Sequence, residues 1–389
     1  MEFHPPNGDD LTVLGRIAAE TFGFPEAAFE KVVERVGRNN LRVARNKASV
    51  AGGLAIYRLG QWFGGNAIPM AGIALVCVPP EKRATGISRL MMSSLVNELY
   101  QDETPLATLF ASTQHAYRNV GFEQAGTWNQ YEMDMSQIGH RTFPLPLKQV
   151  ELNLLNFDNL AHQRAARTNG NVTRTPGLWN RLITPQNSAH PMRGYLIGES
   201  QSPSGYIIFE QHMGNCFDDR YLFIRDMTAL TGDAYQSLAA FLYGHRSIFP
   251  KIRFYGESLD PFIATTQEAR NQPIFSERWM MRIIHVTRAL TLRGYNPHIK
   301  TSLDFSLSDP LIAENNGRFH LEVENGKGQI TRGGNGEVEI DIRSLASLYS
   351  SLFDATTLQQ MGKLTGPATA IHRANTLFAG PQPWMPDKF

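Results

Sequence analysis

The stretch that decides the fold is 74-ALVCVPPEKRATGISRLM-91, in which an apolar segment runs into two prolines and a basic turn. The residues up to Val78 are rich in the branched apolar side chains that favour a buried strand. Pro79 and Pro80 end that strand, since proline lacks the N–H group that a sheet needs. Apolar residues then recur from Ile87 with helical spacing. The sequence therefore predicts a strand, a turn and a helix here.

The turn between strand and helix has the composition of an anion site. The first N–H groups of a helix, together with its dipole, attract negative charge. Gly86 allows a ligand to approach the backbone closely, Arg83 adds positive charge, and Ser88 can cap the helix or donate a hydrogen bond. The turn is neither a Walker A loop nor a G-x-G-x-x-G turn. Taken alone, it fits a diphosphate site and a plain turn with a solvated arginine equally well.

The order of elements around the turn repeats later in the chain. Helices are expected at 11–22 and 26–36, then three strands ending at Val78, a helix at 87–100 and a strand at 106–111. Between 194 and 256 a hairpin, a strand, a helix and a strand follow with similar spacing, which indicates an internal duplication. The second turn, 228-TALTGDA-234, has no arginine and carries an aspartate. Only the first turn is therefore expected to bind an anion.

Composition limits the possible classes of protein. A chain of 389 residues suggests two or three domains, and a formal net charge of +1 without a basic tract argues against a nucleic-acid partner. The sequence shows no 18-residue apolar run and no signal-peptide layout, so we expect a cytoplasmic protein outside the membrane. Two cysteines, Cys77 and Cys216, and histidines without metal-ligand spacing predict no metal site.

The turn and the later segment 117-YRNVGF-122 together resemble the GNAT acetyltransferase superfamily. The resemblance rests on seven positions, with Ser88 a mild departure from the usual small residue: Val76, Val78, Arg83, Gly86, Tyr117, Gly121 and Phe122. From about Trp279, alternating strands with Asn-Gly and Gly-Gly turns precede further helices, and this region resembles a sterol carrier protein. Two GNAT-like units and such a third domain resemble the Eis (enhanced intracellular survival) acetyltransferases.

This resemblance implies an α+β fold of tandem GNAT-like mixed sheets with flanking helices and a C-terminal sterol-carrier-like α+β domain. The expected domains are a catalytic GNAT domain at 1–136, a GNAT-like domain without the pyrophosphate loop at 137–278, and the sterol-carrier-like domain with its tail at 279–389. The third domain's resemblance would imply lipid binding; we expect instead that it carries the tail across to the first domain. Eis proteins are hexamers, so a homo-oligomer is implied.

The resemblance also implies acetyl-CoA as co-substrate, with the pantetheine arm along the strand and the pyrophosphate in the turn. Cys77 itself is expected to be a small buried hydrophobic residue. The expected contacts are Val76, Cys77, Val78, Arg83, Ala84, Thr85, Gly86, Ile87, Ser88, Arg89, Ser112 and Thr113.

Two groups are candidates for proton transfer. A phenol has a pKa of roughly 10, so Tyr117 would stay protonated at neutral pH and could protonate a leaving thiolate, as the matching tyrosine is proposed to do in Eis proteins. In Eis proteins the C-terminal carboxylate is the base, which implies this role for Phe389. A core tyrosine and an inert, packed tail are the alternatives. His115 lies two residues from Tyr117, so on a helix the two side chains diverge and His115 is expected to be structural.

The acceptor implied by the resemblance is a primary amine of a small polyamine or aminoglycoside-like compound, or of lysine. A cationic amine calls for carboxylates or aromatic rings in its cleft, and Glu20, Phe22, Phe24 and Asp387 are the candidates. Two alternatives remain open from the residues. One is an N-acyltransferase that uses a longer acyl chain, and the other is a lipid- or CoA-binding scaffold whose acetyltransferase site has decayed.

Overall fold

A computed structural model describes residues 1–46, 49–139, 141–185, 189–264, 266 and 272–389. The chain forms two compact units. Unit 1 consists of Met1–Gly126, Arg278–Pro383 and Asp387–Phe389, and unit 2 of Thr127–Glu277 and Trp384–Pro386. The third expected domain thus belongs to the same unit as the first, and the expected boundaries between three domains stay a prediction.

The expected α+β class is confirmed. The strands, in chain order, are β1 Glu2–His4, β2 Leu41–Arg45, β3 Val50–Phe63, β4 Asn66–Cys77, β5 Leu106–Phe110, β6 Glu123–Asp134, β7 Leu147–Val150, β8 Val172–Thr173, β9 Met192–Glu199, β10 Ser202–His212, β11 Tyr221–Ala229, β12 Lys251–Gly256, β13 Pro273–Ile283, β14 Lys300–Ser308, β15 Gly317–Glu324, β16 Lys327–Arg332, β17 Val338–Asp341 and β18 Leu364–Thr365. The helices are α1 Asp10–Phe22, α2 Ala28–Val36, α3 Ile87–Gln101, α4 Gln114–Arg118, α5 Asp158–Ala165, α6 Pro176–Ile183, α7 Gly232–Gly244, α8 Pro261–Ala264, α9 Val286–Leu292, α10 Ile342–Tyr349, α11 Ala355–Gln360 and α12 Ala368–Phe378. None of these described helices is long and apolar enough to cross a membrane.

The first sheet of unit 1 has the strand order β1-β2-β3-β4-β5-β13. Its pairs are antiparallel except for β4 and β5, which run parallel on either side of the crossover helix α3. Met91 and Leu95, one helical turn apart, join Ile56, Ile73 and Leu109 in one buried cluster. This packing explains why the apolar residues of α3 recur with helical spacing.

Strand β13 enters this sheet from a distant part of the chain. Its segment Trp279–Ile283 pairs antiparallel with Phe110–Leu106 of β5, and Met280 and Met281 are fully buried. The sequence pattern predicts the start of the third domain at about Trp279 and gives no sign of a strand that completes the first sheet. Since the pairing joins residues far apart in the chain, no local pattern indicates it.

The third region of unit 1 forms a separate sheet with the strand order β16-β15-β14-β17-β18 and helices α9 to α12. Its hairpin between β15 and β16 turns at Asn325 and Gly326, whose φ values of 52° and 77° are both left-handed. Those angles are typical of the turn that an Asn-Gly pair favours. The Asn-Gly turn expected between alternating strands is therefore confirmed here.

A buried ion pair holds the third region against the first sheet. Arg282 of β13 and Asp309, which follows β14, are both fully buried, with Nη2 of the arginine 2.8 Å from the carboxylate. Asn315 donates a further hydrogen bond of 2.9 Å to Asp309. Gly121 lies beneath this guanidinium, because a Cβ added at Gly121 would lie 1.5 Å from Nη1. The glycine of the YRNVGF segment therefore makes room for Arg282.

Replacing Asp309 by alanine should strongly destabilise the protein. The change leaves the Arg282 charge buried without its partner, and breaking a buried pair in this way costs about 3–5 kcal/mol. Denaturant unfolding followed by circular dichroism measures the loss. Asp102→Ala is the matched control, since Asp102 pairs with Arg58 at the surface and should change stability by about 1 kcal/mol or less. Equal losses in the two variants would contradict the assignment.

Unit 2 has the strand order β6-β12-β11-β10-β9-β7. Its hairpin β10–β11 leads through helix α7 to β12, which pairs parallel with β11. Leu238 and Leu242 of α7 pack with Ile207, Ile224 and Ile252 of the sheet. The order of hairpin, parallel crossover helix and strand is the same as that of β3, β4, α3 and β5. The structure therefore contains the duplication that the sequence indicated.

Candidate active site

Strand β4 bends where the sequence places the co-substrate. Opposite β3, Gly53 pairs with Cys77 and Ala55 with Ala74, so β4 holds one extra residue at this point. Leu75 has a left-handed φ of 52°, as expected at such a β-bulge. The described ladder between β4 and β5 runs only as far as Ile73. The backbone of residues 74–77 therefore lies past that ladder, where it can bind an extended ligand.

The turn after β4 leaves the start of α3 open. Thr85 Oγ1 donates to Lys82 O at 2.6 Å, and Lys82 Nζ lies 3.2 Å from Ser49 Oγ, so side chains fix the near part of the turn. Ala84 and Gly86 both have left-handed φ, 60° and 88°. Gly86 is the N-cap of α3 and supplies no side-chain cap. A Cβ at Gly86 would meet nothing within 4 Å, so the first turn of α3 faces open space.

The predicted contacts in the turn differ in exposure. The exposed ones are Arg83, Ala84, Thr85, Gly86 and Arg89, and the half-buried ones are Val76, Val78 and Ser88. Ile87 and Cys77 are buried, so only their backbone groups can face a ligand. Burial raises the pKa of the Cys77 thiol to about 12, and its Sγ donates to Gly53 O at 3.6 Å. Cys77 thus has the surroundings of a small buried residue.

The corresponding turn in unit 2 satisfies its own helix. Thr231 is the N-cap of α7, and its side-chain oxygen accepts a hydrogen bond of 3.2 Å from the N–H of Ala234. Asp233 adds a negative charge in the first turn of this helix. An anion would therefore compete with Thr231 for a donor and would be repelled by Asp233.

Tyr117 lies on α4, just after β5. Ser112 and Thr113 are exposed at the end of β5, and Thr113 begins α4. The Tyr117 side chain is 8% exposed and packs edge-on against Phe122, with ring centroids 6.2 Å apart. Burial raises the pKa of Tyr117 above its usual value. The phenol therefore stays protonated at neutral pH and can serve as a proton donor.

His115 has local partners. Its ring is exposed, and Nε2 lies 3.4 Å from Asn119 Nδ2. The nearby Arg118 forms a bidentate ion pair with Glu123, whose carboxyl pKa this guanidinium holds below its usual range against the opposing effect of burial. The Glu123 carboxylate is therefore already paired with Arg118 and is not available as a partner for His115.

The last residue of the chain docks on the first sheet. The Phe389 ring lies 5.7 Å from the Tyr57 ring and 5.9 Å from the Phe110 ring, centroid to centroid. Gly72 lies beneath it, since a Cβ there would come within 2.7 Å of the Phe389 ring. Tyr57 and Gly72 are cross-strand partners. Their neighbours Ile56 and Ile73 pack against α3, and side chains alternate between the two faces of a sheet. Phe389 therefore lies on the face opposite α3. We call Tyr57, Gly72 and Phe110 the Phe389 socket.

The preceding tail residues belong to unit 2. The backbone N–H of Trp384 donates to Asn169 O at 3.0 Å, and Asn171 Nδ2 donates to Trp384 O at 3.0 Å. Met385 N–H donates to Thr127 O at 3.1 Å. The sequence predicts a tail that reaches the first domain, but it gives no sign of these partners.

The predicted acceptor residues lie at the end of α1, just after it and in the tail, and none of them lines the groove between α1 and α2. Glu20 is exposed, Phe22 is 48% exposed and stacks on Phe24 at 6.5 Å, and Asp387 is half-buried. The groove has a volume of about 490 Å³, and its lining includes Phe29, Val33, Glu26, Glu30 and Glu34. In the described part of the chain no hydrogen bond, ion pair or ring contact links Glu20, Phe22 or Phe24 to Tyr117 or Phe389. Their role stays a prediction.

Sequence reasoning missed the Phe389 socket, although one signal was present. Gly72 interrupts the apolar strand 69-PMAGIAL-75, and an isolated glycine in a strand often marks a close approach by another group. Tyr57 and Phe110 read as ordinary strand residues. Among the described residues, no three His, Cys, Asp or Glu side chains are grouped so that they could hold a metal ion.

Comparison with known proteins assigns the class. Residues 2–125 and 170–283 each match an acetyltransferase (GNAT) domain model, and residues 286–386 match a sterol carrier protein domain model. A GCN5-related N-acetyltransferase from Anabaena variabilis is 37% identical, with a TM-score of 0.95 and full coverage of both chains. The chain therefore belongs to the GCN5-related N-acetyltransferase (GNAT) family.

Within this family, the chain is an Eis-like N-acetyltransferase. The N-acetyltransferase Eis of Mycobacterium bovis is 25% identical over 405 aligned positions, which cover 97% of this chain and 96% of that protein. Eis1 from Mycobacterium abscessus has the same fold, with a TM-score of 0.83, 20% identity and full coverage of both chains. The expected order of two acetyltransferase domains and a sterol-carrier domain is confirmed.

Proposed function

We propose that the protein transfers the acetyl group of acetyl-CoA directly to a primary amine of a small polycation, such as a polyamine or an aminoglycoside, or of lysine. The observation that carries the proposal is the difference between the two turns. The turn at Gly86 follows a bulged strand and opens the start of α3, whereas Thr231 caps α7 with its own side chain. This difference supports diphosphate binding at the first turn and not at the second.

The residues of the first copy fit acetyl-CoA. The backbone past Ile73 would pair with the amide groups of the pantetheine arm, and the N–H groups of residues 86–88 would bind the pyrophosphate with Arg83. Ser112 and Thr113 are exposed just after β5, a few residues before Tyr117 in the chain. Bound there, acetyl-CoA supplies an acetyl group already activated as a thioester.

The reaction requires two proton transfers. As the amine nitrogen forms a bond to the acetyl carbon, the carbon–sulfur bond breaks and the sulfur leaves with its electron pair. Phe389, through its α-carboxylate, takes the proton that the amine loses, directly or through water, and Tyr117 gives its phenolic proton to the thiolate. Burial raises the pKa of the Tyr117 phenol, and it would raise the pKa of a buried thiol as well. The pKa values of proton donor and acceptor therefore stay close to each other.

The acceptor side supports a cationic amine. Glu26, Glu30 and Glu34 line the groove between α1 and α2, together with Arg16 and with the apolar side chains of Phe29 and Val33. Three carboxylates against one guanidinium favour an alkylammonium group, and the apolar side chains of the lining can contact its carbon chain. A homo-oligomer, such as the hexamer that the Eis resemblance implies, and a cytoplasmic location stay predictions.

Calorimetric titration of the full chain with acetyl-CoA, CoA, myristoyl-CoA and a fatty acid tests the proposal. We expect acetyl-CoA to bind at one site per chain. Two sites per chain would contradict the assignment of the second turn. Tighter binding of myristoyl-CoA than of acetyl-CoA would instead indicate a longer acyl donor, and binding of the fatty acid alone would indicate a lipid-binding scaffold.

Replacing Arg83 by alanine should weaken acetyl-CoA binding by about 10- to 150-fold, because a hydrogen bond to a charged group contributes about 1.5–3 kcal/mol. The dependence of Kd on salt concentration should also become flatter, since one ionic contact is lost. Arg343→Ala is the matched control, because this substitution removes the same charge far along the chain from the turn. Arg343 is partly exposed and pairs with Asp341 in the third region. An equal change in both variants would contradict a local role for Arg83.

A further inference from the structure

We propose that the Phe389 socket is a positioning site that selects an aromatic residue at the end of the chain, and that it binds an aryl carboxylic acid once Phe389 is removed. The catalytic part of this inference rests on the function proposed above for the Phe389 carboxylate. The binding part does not, because it concerns only where the ring is held.

The floor of the socket explains why residue 72 is a glycine. A Cβ at Gly72 would lie 2.7 Å from Cε2 and 3.0 Å from both Cδ2 and Cζ of Phe389, closer than carbon atoms approach. The backbone at Gly72 is not among those with a left-handed φ, so its conformation does not require glycine. Glycine inside a strand is unfavourable on its own account. Space for the Phe389 ring is therefore the reason for this residue.

The walls of the socket hold the ring in a defined orientation. Tyr57 is 5% exposed, its ring is tilted by 40° to that of Phe389, and its hydroxyl accepts a hydrogen bond of 3.4 Å from Arg35. Phe110 meets the Phe389 ring edge-on, at 72°. Strands β3, β4 and β5 thus each contribute one residue to the socket. Aromatic contacts of this geometry favour a ring over an aliphatic side chain.

A ring held in this way fixes the carboxylate that is bonded to the same residue. Ring and carboxylate can be separated by substitution. Phe389→Ala keeps a terminal carboxylate but loses the ring, and Gly72→Ala keeps both but fills the floor. The two changes act on the same contact, so their effects should not add.

The kinetic test compares Gly72→Ala, Phe389→Ala and the double variant. We expect each single change to lower kcat about tenfold with the KM for acetyl-CoA unchanged, and the double variant to match Phe389→Ala alone. Gly232→Ala is the control, because a Cβ there meets nothing within 4 Å. Losses that add in the double variant, or a rise in the KM for acetyl-CoA, would show that Gly72 is merely structural and would overturn the inference.

The binding test uses a chain that ends at Lys388. Titration with N-acetyl-phenylalanine should give saturable binding, with little or none for N-acetyl-alanine, and Gly72→Val in the same chain should abolish it. The full chain should not bind this probe, because Phe389 fills the socket. No binding to the shortened chain, or equal binding with Gly72→Val, would overturn the inference. A wild-type protein that acetylates no amine would contradict the proposed function and leave this binding test valid.

Discussion

Tyr117→Phe should lower kcat by about 10²–10⁴-fold while leaving the Kd for acetyl-CoA unchanged. The substitution removes the proton that the leaving thiolate needs, and general acid catalysis by a positioned side chain contributes about that factor. The ring itself remains and can still pack against Phe122, so the fold should be kept. CoA release measures the rate, and calorimetry measures the affinity.

The control for this prediction is a tyrosine outside the site. Tyr100 lies on α3 and stacks on His285, with ring centroids 5.1 Å apart. Tyr100→Phe removes the same hydroxyl group and should leave kcat unchanged. If Tyr117→Phe also turned over amines at the wild-type rate, Tyr117 would be a packing residue and the acid would have to be sought elsewhere.

A chain that ends at Lys388 should likewise lose about 10²–10⁴-fold in kcat. The shortened chain still ends in a carboxylate, but that group lies one residue away, up to about 3.5 Å along the backbone. It also lacks the ring that occupies the socket between Tyr57 and Phe110. Initial rates of untagged protein measure the loss, and calorimetry should show normal acetyl-CoA binding.

Tag placement provides a control with the full sequence intact. A peptide added after Phe389 turns its carboxylate into an amide, so a C-terminal tag should inactivate the enzyme, whereas the same tag before Met1 should not. Full activity of the chain ending at Lys388 would mean that the tail is structural. The base would then have to be sought near Glu20 or His115.

The local parts of the fold could be predicted from the sequence. The strand, the turn and helix α3 are encoded by neighbouring residues, since Pro79 and Pro80 end the strand and apolar residues repeat from Ile87. Strand β13 could not be predicted in its place, because its partner β5 lies far away in the chain. The buried pair of Arg282 and Asp309 escaped prediction for the same reason, since neither residue carries a local sign of its partner.

The candidate site shows the same division. Arg83, Gly86 and Tyr117 could be predicted because each belongs to a short motif of neighbouring residues. Arg83 and Gly86 lie in the turn before α3, and Tyr117 begins the YRNVGF segment. The Phe389 socket could not be predicted, because Phe389 contacts three strands that lie far from it in the sequence. Glu20, Phe22 and Phe24 remain predictions, since their surface position on α1 and just after it is equally that of solvated residues.

The measurement that tests the central claim most directly is CoA release from acetyl-CoA by the untagged wild-type protein with a panel of amines. The panel holds an aminoglycoside, a linear polyamine and a lysine peptide, with a neutral alcohol as blank, and mass spectrometry identifies the products. We predict CoA release that depends on the amine and is matched by an N-acetylated product. Acetyl-CoA binding without an acetylated product from any of these amines would contradict the account.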